Sequence, residues 1–329
     1  MPGFYVESVV MRNPKNAIRK ISWFVLILFL FMNVVAFIHA YTFTHFSNKH
    51  SERTKDPTVL SMTDKLQVLA LGIDNPRPQL KSKPSQPFEQ VIIKGDVSLG
   101  CWSIKAPDPK GTVILFHGYS GEKSSLLGRS EKFLALGYNV LLVDFEGSGD
   151  SDGSSTSVGY SEATQVKQCY DYVTNIGEQN IYLFGTSMGS VAILKSIQDF
   201  KLSPRGIIIE CPFGSLYRTV CARFTIMSVP SFPMAALLTF WGGAQHGYWA
   251  FSHNPIDYAK SVRCPVLLLF GEKDNRVSRE ETDKIYVNLQ GYKVLKTYAT
   301  EGHDVFTHNI IKWNDDVNEF LTSLRQSNM

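Results

Sequence analysis

Residues 181–192 read IYLFGTSMGSVA, which sets Ser187 between Gly185 and Gly189 where an apolar run gives way to small helix-forming residues. Two readings compete. In one, the glycines let a strand and a helix come close and the serine is incidental; in the other, Ser187 is a nucleophile held on a tight turn. The G-x-S-x-G pattern alone is weak, because a chain of this composition carries one by chance about one time in six. Its context is stronger: Ile181–Phe184 form a strand-like run and Val191–Leu194 begin a helical one. A serine at such a turn has its hydroxyl lifted above the sheet, over a helix N-terminus whose amides favour developing negative charge.

A serine hydroxyl attacks poorly until a base takes its proton, and that base needs a carboxylate to fix its tautomer. Such partners belong at the C-terminal ends of later strands. Asp274 follows PVLLLFGEK, and Ser278 with Glu281 makes a capping box that opens the next helix. His303 follows KVLKTYATEG. Glu272 is a rival for Asp274, and His308 for His303, although His308 falls inside the next helical pattern. His117 precedes the serine and sits at a strand end, which reads as structural, while His246 and His253 read as surface or structural residues of the interval described next.

Around these positions the chain from about residue 88 alternates short β-rich runs (QVIIKG, TVILFHG, NVLLVDF, NIYLFG, GIIIEC, PVLLLFG, KVLKTYA) with helix-sized segments. Continuous apolar runs spaced in this way predict a mostly parallel, doubly wound α/β sheet covered on both faces. The interval 212–261 breaks the rhythm. It is too long for an ordinary connection and rich in Phe, Tyr, Trp and Met, so it reads as an inserted cap.

Ahead of the globular part lies ISWFVLILFLFMNVVAFIHAYTF, residues 21–43, uncharged and long enough to cross about 30 Å of hydrocarbon. Arg12, Lys15, Arg19 and Lys20 in the basic tail 1–20 favour a cytoplasmic N-terminus with the remainder on the other side, against which Lys49, Arg53 and Lys55 weigh. A cleaved signal peptide is the competing reading, with Ile38-His39-Ala40 as its small-residue end, but the run exceeds the usual h-region. Residues 44–87, with five prolines among polar residues, read as a stalk holding one short amphipathic helix, SMTDKLQVLALGI.

A formal net charge of +3 gives no case for a nucleic-acid partner. Five scattered cysteines lack zinc-site spacing, and an odd number cannot all pair within one chain; whether Cys211 and Cys221 pair stays open. Asp150-Ser151-Asp152-Gly153 lacks the closing glutamate of a calcium loop, and Gly121-Glu122-Lys123-Ser124 lacks the Gly-Lys of a P-loop.

Five pieces now stand in order: His117-Gly118 after TVILF, Asp144–Ser151 (DFEGSGDS) after NVLLV, the turn at Ser187, Gly271–Asp274 (GEKD) and Gly302-His303. With them residues 88–326 resemble an α/β-hydrolase, nearest to the serine hydrolases that include monoacylglycerol lipases and carboxylesterases, and the N-terminal apolar segment resembles one membrane-anchored branch. The resemblance implies Ser187 as nucleophile, His303 as general base and then acid, and Asp274 as its orienting carboxylate. It further implies an oxyanion hole from the backbone N–H groups of Met188 and Tyr119, leaving both side chains nearly free to vary. Glu146 stands where many relatives carry arginine, which puts local ion pairing in doubt.

Such a site transfers an acyl group to serine and then to water, and calls for no metal or organic cofactor. The expected activity is therefore hydrolysis of a lipid-like or small hydrophobic carboxylic ester. Thioesterase, peptidase and non-catalytic scaffold remain alternatives. The aromatic cap reads equally as an apolar substrate pocket and as the cap's own core. Absence of an N-x-[ST] sequon gives no support to an extracellular glycoprotein, and the oligomeric state is not legible.

Overall fold

A computed structural model describes residues 14–47, 61, 63, 68, 72–73 and 75–326. Residues 1–13 of the basic tail, half of the stalk and most of the SMTDKLQVLALGI segment lie outside the described residues. The domain beyond is an eight-stranded sheet with strands β1 (Glu89–Ile93), β2 (Leu99–Ile104), β3 (Thr112–Phe116), β4 (Asn139–Val143), β5 (Ile181–Thr186), β6 (Gly206–Glu210), β7 (Val266–Gly271) and β8 (Lys293–Tyr298) in the order β1-β2-β4-β3-β5-β6-β7-β8. The pairs β1–β2 and β2–β4 are antiparallel and all later pairs are parallel.

Strand β2 is missing from the sequence expectation. LGCWSI mixes Gly100 and Ser103 among larger residues, so neither a clean alternation nor a continuous apolar run announces it. Strands β3, β4, β6 and β7, buried on both faces, read in the sequence as apolar runs. Their alternate side chains enter two cores. Helices α3 (Glu162–Asn175), α4 (Met188–Phe200) and α8 (Arg279–Asn288) close one with Val166, Val191, Leu194 and Ile285. Helices α2 (Leu127–Ala135) and α9 (Ile310–Gln326) close the other with Phe133, Trp313, Val317 and Phe320.

The interval between β6 and β7 carries α5 (Leu216–Ile226), α6 (Met234–Gln245) and α7 (Pro255–Tyr258). Its aromatic rings largely meet one another or the body below: Phe251 lies beside Tyr217 and Trp249, and Tyr248 stacks on Tyr160 at 3.9 Å. His253 pins the interval to the body. It is wholly buried, its Nε2–H donates to the Val158 carbonyl at 3.0 Å, and its Nδ1 accepts from the Tyr258 hydroxyl at 2.9 Å. Burial pushes its pKa down to about 4, against the smaller upward pull of the Val158 carbonyl. The unfolded chain therefore binds this proton at higher pH than the folded one, so stability is complete above about pH 6.5 and falls as pH drops toward about 4. In thermal melts across that window, His253→Phe should flatten the acid decline of the melting temperature; a variant as acid-sensitive as the parent would assign that decline to other groups.

The N-terminal helix α1 (Pro14–Thr44) is longer than the expected 21–43 at both ends, because no glycine or second proline interrupts it. Its stretch Ile18–Thr44 is long and apolar enough to cross a membrane, with a mean hydropathy of 2.6. Residues 21–31 are bare, whereas Val35, Ala36 and Ala40 are buried. The described parts of the segment read as a stalk do not stand away from the domain. Phe46 is buried, its N–H donates to the Ser154 carbonyl, and Arg77 donates to the carbonyls of Ser148, Gly149, Ser151 and Gly153. An arginine whose five donors meet four backbone oxygens ties residues 75–80 to the domain, so the helix and the domain are joined without a free spacer at these points.

Candidate active site

Strand β5 ends at Thr186 and α4 begins at Met188, which leaves Ser187 alone in the turn with φ of +49° and ψ of −112°. A residue with a side chain holds such a backbone only where its surroundings over-determine it. They do here. A Cβ on Gly185 would fall 2.6 Å from the Gly189 carbonyl carbon, and one on Gly189 would fall 2.4 Å from the Phe116 carbonyl oxygen, so both flanking positions require glycine. The Ser187 N–H donates to the Glu210 carbonyl at 2.8 Å, and the buried Ser190 hydroxyl donates to the Gly185 carbonyl at 2.6 Å. The glycines allow the close approach of strand and helix, and that approach holds the serine in the turn.

Asp274 and His303 follow β7 and β8, neighbouring strands whose C-terminal ends lie side by side. His303 Nδ1 donates to Asp274 Oδ2 at 2.7 Å, and the Asp274 side chain is fully buried. Asp274 Oδ1 accepts from the amides of Arg276 and Val277 at 2.8 and 3.0 Å. Burial works to raise the Asp274 carboxyl pKa, but the His303 hydrogen bond and charge and the two amides outweigh it, and the carboxyl titrates below its ordinary value. It is an anion at neutral pH that fixes the imidazole with Nε2 left for another partner. Among the described residues the Ser187 hydroxyl has no hydrogen-bond partner; in an empty site such contacts are commonly long and tighten with substrate.

The rivals face elsewhere. Glu272 pairs with Arg279 at 2.7 Å, and the exposed His308 pairs with Glu301 at 3.2 Å. His117 is buried, donates from Nδ1 to the Gly118 carbonyl and accepts the Phe145 amide at Nε2, and burial lowers its pKa. It is a neutral strut of the loop that brings Gly118 so close to the turn that a Cβ on it would lie 3.5 Å from the Ser187 Cβ.

That loop continues into Tyr119, one of the two expected oxyanion donors. The other, Met188, offers the first amide of α4, which has no carbonyl four residues back within the helix. Neither side chain is free to vary. Met188 is buried, with Sδ accepting from Thr156 Oγ1 at 3.4 Å. The Tyr119 hydroxyl donates to the Phe43 carbonyl at 2.6 Å, accepts from Asn75 Nδ2 at 3.1 Å, and its ring stacks on Phe43 at 4.4 Å. The last turn of α1 therefore holds the residue beside Ser187. Tyr119→Phe removes both hydrogen bonds of this hydroxyl, each worth about 1 kcal/mol, and should lower kcat at least roughly fivefold with little change in KM. A rise in KM at unchanged kcat would instead make this side chain a substrate contact.

Two buried ion pairs under the site were not expected from the sequence. Arg129 on α2 donates from Nε and Nη2 to Glu210 at 3.1 and 2.8 Å, and from Nη2 to Asp304 at 3.1 Å. One guanidinium thus braces the residue whose carbonyl holds Ser187 and the residue next to His303. Trp313 Nε1 donates to the same Glu210 carboxylate. Lys123, wholly buried, pairs with Asp144 and Asp150, so the DFEGSGDS loop is ion-paired despite Glu146. Glu146 itself accepts from Ser155, and burial raises its carboxyl pKa. A carboxylate closing the apolar run GIIIE was the available signal for Arg129, since a buried charge needs a partner.

Cys211 Sγ lies within 4.8 Å of the donor atoms of Asp274 and His303, a trio of ligand-type residues. It fits a cation poorly. Burial, then the Asp274 charge, pushes the Cys211 thiol well up, which keeps it protonated, and Asp274 is already committed to His303.

Parallel strands β3–β8 with a positive-φ serine after β5 and an Asp–His pair after β7 and β8 are the architecture of the α/β-hydrolases, and the chain has that fold. Residues 107–241 match the family described as serine aminopeptidase, S33, a stretch that includes Ser187 and stops short of Asp274 and His303. The chain is 27% identical over 225 residues to the uncharacterized protein YqkD of Bacillus subtilis, covering 67% of this chain and 74% of that one. It is 26% identical over 212 residues to the lysophosphatidylserine lipase ABHD12 of Danio rerio, covering 59% of this chain and 53%, about half, of that relative. The esterase Pf2001 of Pyrococcus furiosus has the same fold, with a TM-score of 0.63 at 23% identity over 75% of this chain and 96% of that one.

Proposed function

We propose that the protein is a membrane-anchored serine hydrolase that cleaves carboxylic esters of lipid-like or small hydrophobic substrates through an acyl-enzyme on Ser187. The observation that carries this reading is the 2.7 Å bond from His303 Nδ1 to a buried, anionic Asp274, at the sheet end where Ser187 is held at positive φ. In this mechanism the Ser187 Oγ attacks the ester carbonyl carbon while its proton passes to His303 Nε2. The imidazolium so formed faces Asp274. The amides of Met188 and Tyr119 receive the oxyanion, a contribution of about 3–4 kcal/mol per donor in sites of this kind. Collapse expels the alcohol with the proton from His303, and a water repeats the sequence to release the acid; no metal or organic cofactor takes part.

The lipid end of the substrate range is supported by the lysophosphatidylserine lipase named among the relatives and by the apolar helix α1. In this reading residues 1–20 are a cytoplasmic basic tail, 21–43 span the bilayer, 44–87 link, and 88–326 are the hydrolase with its cap at 212–261, on the non-cytoplasmic side. A panel of acyl esters of increasing chain length tests the substrate class, with an aminoacyl amide included because the matching family is described as an aminopeptidase. Turnover rising with acyl length is expected. A flat response, or faster cleavage of the amide than of any ester, would overturn the lipid-ester reading.

A further inference from the structure

From Phe224 to Ile256 the chain holds no Asp, Glu, Lys or Arg, although these make up 19% of its residues. A cap standing in water carries charges on its outer face. This one presents Met227, Val229 and Phe232, which are 40%, 46% and 75% exposed, together with Ile226, Phe240 and Trp249. The other long charge-free stretch in the molecule begins at Ile21 in α1, and the two lie against each other. Asn33 Oδ1 accepts from Trp241 Nε1 at 3.1 Å, the Phe37 carbonyl accepts from Gln245 Nε2 at 2.9 Å, and the Phe37 ring meets Trp241 edge-on at 5.2 Å. Immediately past the ends of the two helices, His45 stacks with His246 at 5.3 Å.

These pairings rise together in number, so α1 and α6 run in the same direction. Met234, seven residues before Trp241, is therefore about 10 Å further toward the N-terminal end of α1 than Asn33 is. The loop 226–233 precedes it. At that level α1 is bare, with Trp23, Phe24, Ile27, Phe29 and Leu30 all exposed. A hydrocarbon span of about 20 residues counted from Ile21, the first residue after Lys20, reaches about Ala40, so α6 falls within the same slab. Phe43, whose carbonyl receives the Tyr119 hydroxyl, then stands about 4–5 Å above it, at headgroup level.

We propose that α6 and the loop 226–233 are immersed in the hydrocarbon of the leaflet next to the hydrolase domain, and that the site takes its substrate from the bilayer. This rests on the reading of α1 as a membrane span. The bilayer is the occupant because depth is dictated by α1: whatever solvent surrounds residues 23–30 also surrounds the cap tip beside them. The same geometry sets Ser187 and the loop at Tyr119 at the height of the ester carbonyls of a glycerolipid or lysolipid, whose acyl chain can stay in the leaflet while the ester reacts.

The test uses the full chain in phosphatidylcholine vesicles, with the partly exposed Cys221 and Cys264 changed to serine. An environment-sensitive fluorophore is attached at Phe232→Cys or, as a water-exposed reference on α8, at Val287→Cys. Intact fold is checked by labelling of Ser187 with a fluorophosphonate. The label at 232 should emit at shorter wavelength and be quenched by lipids brominated in the acyl chain, while that at 287 shows neither effect. Release of the whole chain by alkaline carbonate overturns the anchor and this inference together. Retention in the membrane with a label at 232 that behaves like the one at 287 overturns this inference alone. In addition, Phe232→Asp should cut turnover of an ester embedded in vesicles about tenfold and leave a water-soluble acetate ester unaffected. Equal losses on both substrates, or no loss on the embedded one, contradict it.

Discussion

Ser187→Ala is expected to lower ester turnover by at least about 10^4-fold, to the level the remaining oxyanion donors and binding contacts sustain. The reason lies in the division of labour at the turn. The Ser187 backbone is positioned by its N–H to Glu210, by Gly185 and Gly189, and by Ser190, none of which involves its hydroxyl. Alanine therefore keeps the turn and loses only the attacking oxygen, so the melting temperature should stay within about 2 °C of the parent. Asp274→Asn is the companion change. It keeps the shape while favouring the wrong imidazole tautomer, and a loss of about 10^3–10^4-fold in kcat is expected. A Ser187→Ala variant with more than a few per cent of parental turnover would remove the serine from the chemistry.

Arg129→Met carries the largest expected loss of stability. The guanidinium is nearly buried and faces two carboxylates, Glu210 and Asp304, of which Glu210 is itself buried under Trp313. Methionine fills most of the space but leaves the Glu210 charge without a cation, at a cost of about 3–5 kcal/mol. In a chain of this size that corresponds to a fall of about 10 °C in melting temperature. The double variant Arg129→Met/Glu210→Gln removes the stranded charge and should recover a good part of the loss. Because Glu210 also supplies the carbonyl for the Ser187 amide, kcat should fall in the single variant even well below its melting point. A single variant as stable as the parent would mean that Glu210 takes up a proton or finds water at no cost.

The parts of the fold that were legible share one property: their signal is local. Strands buried on both faces read as unbroken apolar runs, the turn at Ser187 reads as glycine spacing between a strand and a helix, and Asp274 and His303 read as polar residues just past such strands. What escaped depends on partners far along the chain or on atoms every residue owns. Arg129 and Glu210 are 81 positions apart, and LGRSEKFLA looks like any amphipathic surface helix. Arg77 and Tyr119 bond to backbone carbonyls, which leave no mark on the sequence of the acceptor, so the docking of residues 75–80 and of the last turn of α1 was invisible. The interval 212–261 stands out in the sequence by its length, yet its aromatic content does not say whether it lines a pocket, packs on itself or meets lipid. The contacts with α1 are what separate these.

The central claim is that three distant loops bring one activated hydroxyl, one imidazole and one carboxylate to a single point. Reaction of the folded full chain with a fluorophosphonate, followed by peptide mapping, tests it most directly. The account predicts one adduct, on Ser187, that forms on the native chain, disappears on heat denaturation and slows steeply in His303→Ala. No adduct on a folded chain, or an adduct on Ser187 that forms equally fast without His303, would contradict it.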